Sequence, residues 1–520
     1  MTEHHHHISR RAGIFGFYTL ISRILGLVRD SVIAYFFGTK AAADAFYVAF
    51  RIPNLLRRLL AEGSLTMAFV PVFTEYLGQS REEGKRVADI VFTYLSFLLT
   101  ILTILGVIFA PQIVKVIAFG FEGSPDKFAL TVYLTRLMFP YIFLVSLMAL
   151  AMGVLNTLKI FGAPAASPIL LNLGIIAGAS IFSGWFGQPT VGLALGVIIG
   201  GVLQLSLQIP WLMREGMIPR FNFDYHHPAL RRIGLIMLPS VYGGAVYQIN
   251  VLVITLLASF LPNGSVSYLW YADRINEFPL GLFAVAIATA SLPTLSEHAA
   301  DKNHEAFKGT LNYSMRIALT ESIPAMFGLL LFAEPIIRLL FQRGAFTAES
   351  TAGTVGALRM FAIGIPFVTG VRNIVPAFYA MKDAKTPVYM ATVALVVNAL
   401  LAFILMKPLL HMGLALSMSV ASAVNFALLI YAFRRKMGLF GGRSLLKSTG
   451  RSILACHGIV AVFIISKYVL HLFGDVKGVV LGAQLFSVIL VSIVVYLTIL
   501  KYVAPEEFGH FRSLIRRKLA

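Results

Sequence analysis

Guanidinium and carboxylate groups recur inside stretches of this chain that are otherwise apolar. Arg23, Arg29 and Asp30 occupy the first such stretch. Arg23 and Asp30 are seven residues apart and share a helical face, while Arg29 lies ~120° away on an ideal helix. Gly26 between them permits a bend that would bring both arginines to one cavity. The second stretch holds Asp44, Arg51 and Arg58 at seven-residue intervals, one stripe, with Arg57 beside it and Glu62 a turn later. Pro53 interrupts that helix and loosens the phase beyond it. A later stretch holds Asp273, Arg274 and Glu277 ahead of Pro279, with Arg274 and Glu277 at pairing distance i,i+3. Arg372, next to Asn373, is a further candidate. Charge in a bilayer centre costs ~2.5–3.5 kcal/mol even on the lenient scale, so such groups need water or a partner. Forked guanidiniums gathered in one cavity suit an anionic ligand, a pyrophosphate above all.

Plainer readings stand beside this one. Arg51 and Arg58 either reach the membrane surface or pair with Glu62. Asp44 either begins and caps its helix or serves the cavity. Asp30 and Asp273 adjoin arginines and are expected to orient them. Arg316, Arg338 and Lys115, at helix ends, are expected to snorkel. Arg136 and Arg359 read as structural. The single Cys456 lies in an apolar stretch and reads as a small core residue. The run His4–His7 reads as a disordered natural tail or a tag remnant, not a metal set. No zinc-protease, phosphate-binding Gly-Lys or nucleophile-elbow pattern occurs, and no Cys/His set has metal spacing. The expectation is a protein that is not an enzyme and needs neither cofactor nor metal.

The elements that position these groups are membrane spans. Of 520 residues, 58% are hydrophobic and only 13% charged, with mean hydropathy +0.80. Soluble chains carry about 25% charged residues. Fourteen apolar segments, each long enough for a ~30 Å hydrocarbon core, fall near 13–38, 44–75, 87–110, 129–156, 164–184, 189–212, 232–260, 267–296, 310–332, 351–380, 386–406, 411–433, 452–472 and 479–502. The net charge of +19 does not indicate nucleic acid, because its placement is topological. With the amino terminus in the cytoplasm, loops and tails on that side hold 25 Lys/Arg; the opposite loops hold six, at Lys40, Lys127, Arg343, Lys407, Lys467 and Lys477. That asymmetry is the positive-inside rule and puts both termini in the cytoplasm.

The segments are duplicated. Pro71 and Glu75 return as Pro293 and Glu297, 222 residues on. Arg136, Lys159 and Pro164 return as Arg359, Lys382 and Pro387, 223 on, and Gly192-Leu193-Ala194-Leu195 as Gly413-Leu414-Ala415-Leu416, 221 on. The expected fold is all-α and polytopic. An N-lobe of six spans (1–222) and a C-lobe of six (223–440) are related by a pseudo-two-fold along the membrane normal. Two added spans and a basic tail (441–520) follow. Gly192, Gly196 and Gly200 form a small-residue row for close helix packing.

Several of these runs resemble one family. Ser22-Arg23, Gly26 and Arg29-Asp30, the run from Asp44 through Pro53-Asn54-Leu55-Leu56-Arg57-Arg58 to Ala61-Glu62-Gly63, Phe69-Val70-Pro71, and Tyr271-Ala272-Asp273-Arg274 with Glu277-Phe278-Pro279 are similar to the MviN/MurJ lipid II flippases. The resemblance covers nearly the whole chain, the last two segments included. It implies a bacterial inner-membrane transporter of undecaprenyl-pyrophosphate-linked peptidoglycan precursor, with membrane lipids and cell-wall synthesis enzymes as partners. It also implies that Arg23, Arg29, Arg57 and Arg274 bind substrate in a central cavity, and that Asp44 is the family's acid of the second span. Some members hold sodium with acids in spans 7 and 11. This chain has Gln248, Asn250, Asn398 and Asn425 in spans 7, 11 and 12 and no acid there, so such a site is not expected.

The mechanism that follows is alternating access between the lobes. A cation-coupled drug or polysaccharide exporter would show buried acids and aromatics in place of a net-positive cavity. A membrane enzyme acting on polyprenyl-linked sugars would have only Asp44 and Glu62 as plausible actors.

Overall fold

The computed structural model describes residues 2–58, 65–281, 285–474 and 476–510, with side chains at all of these except 2–16, 239–244, 246, 247, 285 and 286. Glu62 lies outside them. Among the described residues every regular element is helical. The chain forms two compact units: Met1–Val266 with Arg343–Phe346, and Ser267–Gln342 with Thr347–Ala520.

The first unit contains α1 (Thr2–Phe37), α2 (Ala41–Leu56), α3 (Thr66–Gln79), α4 (Arg81–Ile108), α5 (Ala110–Ile117), α6 (Pro125–Met138), α7 (Tyr141–Thr157), α8 (Gly162–Ser180), α9 (Thr190–Arg214) and α10 (Pro228–Ser259). The backbone is helical from Thr2, so α1 includes the His4–His7 run. α4 starts where Ser80 Oγ accepts from Glu83 N, with Glu82 and Glu83 placed against the positive end of the helix dipole. Phe46 and Tyr47 of α2, Phe69 and Phe73 of α3 and Tyr141 of α7 are fully buried. The glycine row acts as expected: a Cβ on Gly196 would stand 2.5 Å from Gly174 O, so α8 and α9 meet backbone to backbone.

The second unit continues with α11 (Ser265–Pro279), α12 (Val285–Ala300), α13 (His304–Phe341), α14 (Ala348–Ile363), α15 (Ile365–Ala380), α16 (Lys385–Met437), α17 (Gly442–Ile464) and α18 (Gly478–Val503). Its core lies where α15, α16, α17 and α18 surround α13, with Phe332, Phe378, Phe433, Cys456 and Leu485 buried together. Cys456 is thus the small core residue its setting suggested. α16 is two helices in one: Leu410, two residues after Pro408, has φ 51° and ψ −136° and breaks the run. α14 and α15 meet at a 43° bend.

Among the described residues eight helices are long and apolar enough to cross a membrane, or nine if the bent pair counts as one span. The other expected segments map onto α1, α2 with α3, α10, and α11 with α12. These carry charge, contain proline or are interrupted, which is also what makes them interesting.

The duplication is visible in hydrogen bonds. Arg136 Nε donates to Val107 O at 3.2 Å, and Arg359 Nε donates to Leu330 O at 3.2 Å. Lys159 and Lys382 both adopt left-handed φ, 64° and 59°. Each closes the preceding helix with the same pair of bonds: Lys159 N to Asn156 O and Ile160 N to Leu155 O, then Lys382 N to Tyr379 O and Asp383 N to Phe378 O. These repeated residues are architectural, as expected of Arg136 and Arg359.

Candidate functional site

In the first unit, α1 presents Arg29 on a buried face. Arg29 Nε and Nη2 donate to Asp30 Oδ1 at 3.0 and 2.7 Å, and Nη1 donates to Asn172 Oδ1 of α8 at 3.1 Å. The two charged side chains are only 9% and 3% exposed. Asn172 is itself held by Ser22 O. Asp30 therefore orients Arg29, as its position suggested, and it also neutralises it. Of the five N–H donors of a guanidinium, three on Arg29 have these partners among the described residues. Arg23, on the same helix, is exposed and has no ion-pair partner among the described residues.

The stripe on α2 separates into three environments. Asp44 is buried and accepts from Lys127 Nζ of α6 at 2.9 Å and from Gly264 N at 2.8 Å. It stands in the first turn of α2, as the capping reading places it, and it also serves the backbone just before α11. Lys127 Nζ also reaches Asn263 Oδ1 at 2.9 Å and sits 4.0 Å from the Phe121 ring centroid. Arg51 is half-buried and donates to Thr255 Oγ1 of α10; its expected pairing with Glu62 lies outside the described residues. Arg58 is exposed with no partner among the described residues. Arg57 is half-buried, and its Nε and Nη2 both donate to Asn54 Oδ1, at 3.1 and 2.8 Å. A neutral amide one turn earlier thus helps to aim this guanidinium.

In the second unit, Arg274 is half-buried on α11, its guanidinium 4.8 Å from the Trp270 ring centroid. Asp273 beside it is half-buried as well. Glu277 Oε1 accepts from Arg372 Nη2 of α15 at 3.4 Å, and Arg372 Nη1 approaches Leu280 O at 3.4 Å. Arg372 is therefore joined to the α11 charge run.

The helix-end cations make protein contacts. Arg316 donates to Glu507 at 2.5 Å and to Glu506 at 2.6 Å. Arg338 donates to three carbonyls of the turn after α17, those of Phe473, Gly474 and Val476. Lys115 pairs with Glu122 at 2.8 Å. Sequence reasoning passed over Lys127, counted only as a loop charge, and the amides Asn54 and Asn172. It also passed over Glu321, an acid inside the apolar run of α13 that was legible from its neighbours alone.

With paired guanidiniums on α1, α2 and α11 in place, comparison with known proteins is decisive. The family model described as Lipid II flippase MurJ matches residues 33–482. The chain belongs to the lipid II flippase MurJ family. It is 38% identical over 428 residues to the lipid II flippase MurJ of Burkholderia cenocepacia, covering 81% of this chain and 83% of that one. It is 33% identical to the probable lipid II flippase MurJ of Buchnera aphidicola subsp. Schizaphis graminum, covering 97% and 98%. Among solved structures it is similar to a lipid II flippase MurJ in an inward closed conformation, with TM-score 0.79 and 28% identity over 96% of this chain and 99% of that one. A multidrug resistance MATE family transporter shares the fold at TM-score 0.67 and 16% identity, covering 83% of this chain and 99% of that chain. Like its family, the chain is a multi-pass membrane protein.

Proposed function

We propose that this chain moves an undecaprenyl-pyrophosphate-linked peptidoglycan precursor, lipid II, from the cytoplasmic to the periplasmic leaflet of a bacterial inner membrane. Membership of the family supports the substrate, and the setting of Arg57 supports the chemistry. The Asn54 amide accepts from two N–H groups of Arg57 and turns its guanidinium without adding a carboxylate of its own. Arg274, 4.8 Å from the Trp270 ring centroid, adds a second guanidinium of the kind that recognises phosphate oxygens. Arg23 adds an exposed cation on α1. Arg29, with three donors on Asp30 and Asn172, completes the set.

Transport proceeds by alternating access, with a headgroup held by these four arginines while the polyprenyl tail stays in the bilayer. Both termini face the cytoplasm, as the loop charges indicate. Outward movement of negative charge across an inside-negative membrane gains ~2.3 kcal/mol per charge per 100 mV, which favours export without an obligatory ion. The test is depletion of the protein in its host, followed by leaflet-specific labelling of the precursor. Accumulation in the cytoplasmic leaflet is expected. An unchanged distribution between leaflets would remove the proposal.

A further inference from the structure

Residues 215–227, which join α9 to α10, form no helix and lie along α4. Lys85 Nζ donates to Ile218 O at 2.9 Å, Arg220 N to Asp89 Oδ1 at 2.9 Å, and Asn222 N to Thr93 Oγ1 at 2.8 Å. Two residues of extended chain advance ~6.6 Å and four residues of helix ~6 Å, so this two-against-four spacing fits an extended segment following α4 in register. Tyr94 Oη then donates to Phe223 O at 3.0 Å, and Asp224 Oδ2 accepts from Arg86 Nη2 at 2.9 Å, which turns the chain back. The tip of the segment thus stands beside Thr93 and Tyr94, inside the apolar stretch 87–110 of α4. Along the tip, burial alternates in an unusual sense. Phe221, Phe223 and Tyr225 are 65%, 61% and 65% exposed, while Asn222 and Asp224 between them are half-buried against α4. A segment lying over water would turn its rings in and its polar groups out.

We propose that residues 218–225 are a strap docked into the phospholipid leaflet on the side of the basic loops, with the rings of Phe221, Phe223 and Tyr225 at the boundary of headgroups and acyl chains and Arg220 at the lipid phosphates. Continuity with the lipid-facing surface of α4 names the occupant. The ring of Phe221 lies 5.5 Å from that of Phe92, and the ring of Phe223 5.8 Å from that of Phe97. From Phe97 the exposed face of α4 runs on through Leu98, Ile101, Ile104, Leu105 and Ile108, and α4 is long and apolar enough to cross a membrane. Aromatic rings favour the headgroup boundary, where an apolar body and a polar edge are both satisfied. Non-helical backbone is costly in lipid unless protein takes up its polar groups, and here α4 does so through Asp89, Thr93 and Tyr94. The duplication points the same way. Phe97 stands 223 residues before Thr320, whose hydroxyl meets Ser448 of α17 at 3.4 Å. A polar residue lies under the added helix, and an apolar one lies where the strap and the bare stripe stand instead. Because the strap is also the connection between the two halves of the duplication, docking pins that crossover to the leaflet.

The test uses the full-length protein in vesicles of phosphatidylcholine with phosphatidylglycerol. Its single Cys456 is fully buried, so the native chain is the unlabelled background. Phe221→Cys, Phe223→Cys and Tyr225→Cys each receive a nitroxide, and Glu82→Cys, at an exposed position at the start of α4, is the aqueous control. Collision with oxygen, which concentrates in lipid, is compared with collision with a water-soluble nickel chelate. The oxygen-to-chelate ratio at the three strap positions is expected to exceed that at residue 82 by at least about fivefold, with the largest value at residue 223, beside Phe97. Labels on the strap that meet the chelate as freely as the control place it in water and overturn the proposal. Labels that neither collider reaches mean that protein, a second copy or another chain, covers the rings, and overturn it equally. The three positions are read separately, so a variant that does not fold leaves the others to decide.

Discussion

Lys127 Nζ lies 2.9 Å from Asp44 Oδ2, with the two side chains only 7% and 1% exposed. The pair joins α6 to α2, and through Asn263 and Gly264 it also holds the turn before α11. A buried ion pair broken on one side leaves an uncompensated charge, a loss of ~3–5 kcal/mol. Lys127→Met should therefore destabilise the protein strongly. Lys127→Met combined with Asp44→Asn should recover much of the loss, because asparagine still accepts from Gly264 N. Thermal unfolding in detergent across this double-mutant cycle measures the coupling. Additive losses would mean that the two charges do not act as a pair.

The arginine site makes a different demand. Arg57→Ala and Arg274→Ala should abolish complementation of flippase-depleted cells at normal membrane abundance. Arg→Lys at either position should rescue only in part, since lysine keeps the charge and loses the planar fork. Full rescue by lysine would favour a purely electrostatic funnel. Well-expressed alanine variants that support growth would take these residues out of the substrate site.

Asn54→Ala separates aiming from charge. It leaves Arg57 in place but removes the acceptor of two of its donors. Transport should fall roughly tenfold, corresponding to ~1.4 kcal/mol of lost orientation, and Asn54→Asp should fall further by neutralising the guanidinium. Initial rates in vesicles distinguish the two. An aspartate variant as active as the native protein would contradict the proposed reason for an amide there.

The glycine seam between α8 and α9 is a stability prediction. Gly196→Ala would press a methyl onto Gly174 O, a backbone atom that cannot swing away, and should cost ~1–3 kcal/mol. Gly162→Ala, with nothing near its would-be Cβ, is the matched control and should be neutral or mildly stabilising.

Asp383, in the turn between α15 and α16, has a distinct pH signature. Burial alone would raise its pKa, but hydrogen bonds from Lys436 and Thr386 outweigh this and hold it at about 2. A depressed carboxylate contributes stability that is complete above its unfolded pKa of ~3.9 and is lost as pH falls toward 2. Asp383→Asn should therefore lower the unfolding temperature at neutral pH and at pH 5 alike, by up to ~1 kcal/mol because Lys436 is half exposed. Native and variant curves should converge near pH 2. A difference that vanished already at pH 5 would disprove the assignment.

Much of this protein was decided by residue type and spacing alone. Apolar run lengths demand helices across a membrane, and the offset near 222 demands duplication. Both rest on local rules, so the repeat reappears as the same Arg136 and Arg359 bonds and the same left-handed caps at Lys159 and Lys382. The charged positions on α1, α2 and α11 were legible because ionised groups are costly among apolar neighbours. What each charge holds was not legible. Arg29 finds Asn172 across 143 residues, Asp44 finds Lys127 across 83, and Arg51 finds Thr255 across 204. Helical periodicity sets the face on which a side chain stands, but not which distant helix packs against that face. Only tertiary packing determined that an amide of α8, Asn172, reaches Arg29 and that an ammonium of α6, Lys127, reaches Asp44. A carboxylate and an amide differ by a full unit of charge, and which one reaches a guanidinium depends on ångström-scale placement in the folded chain.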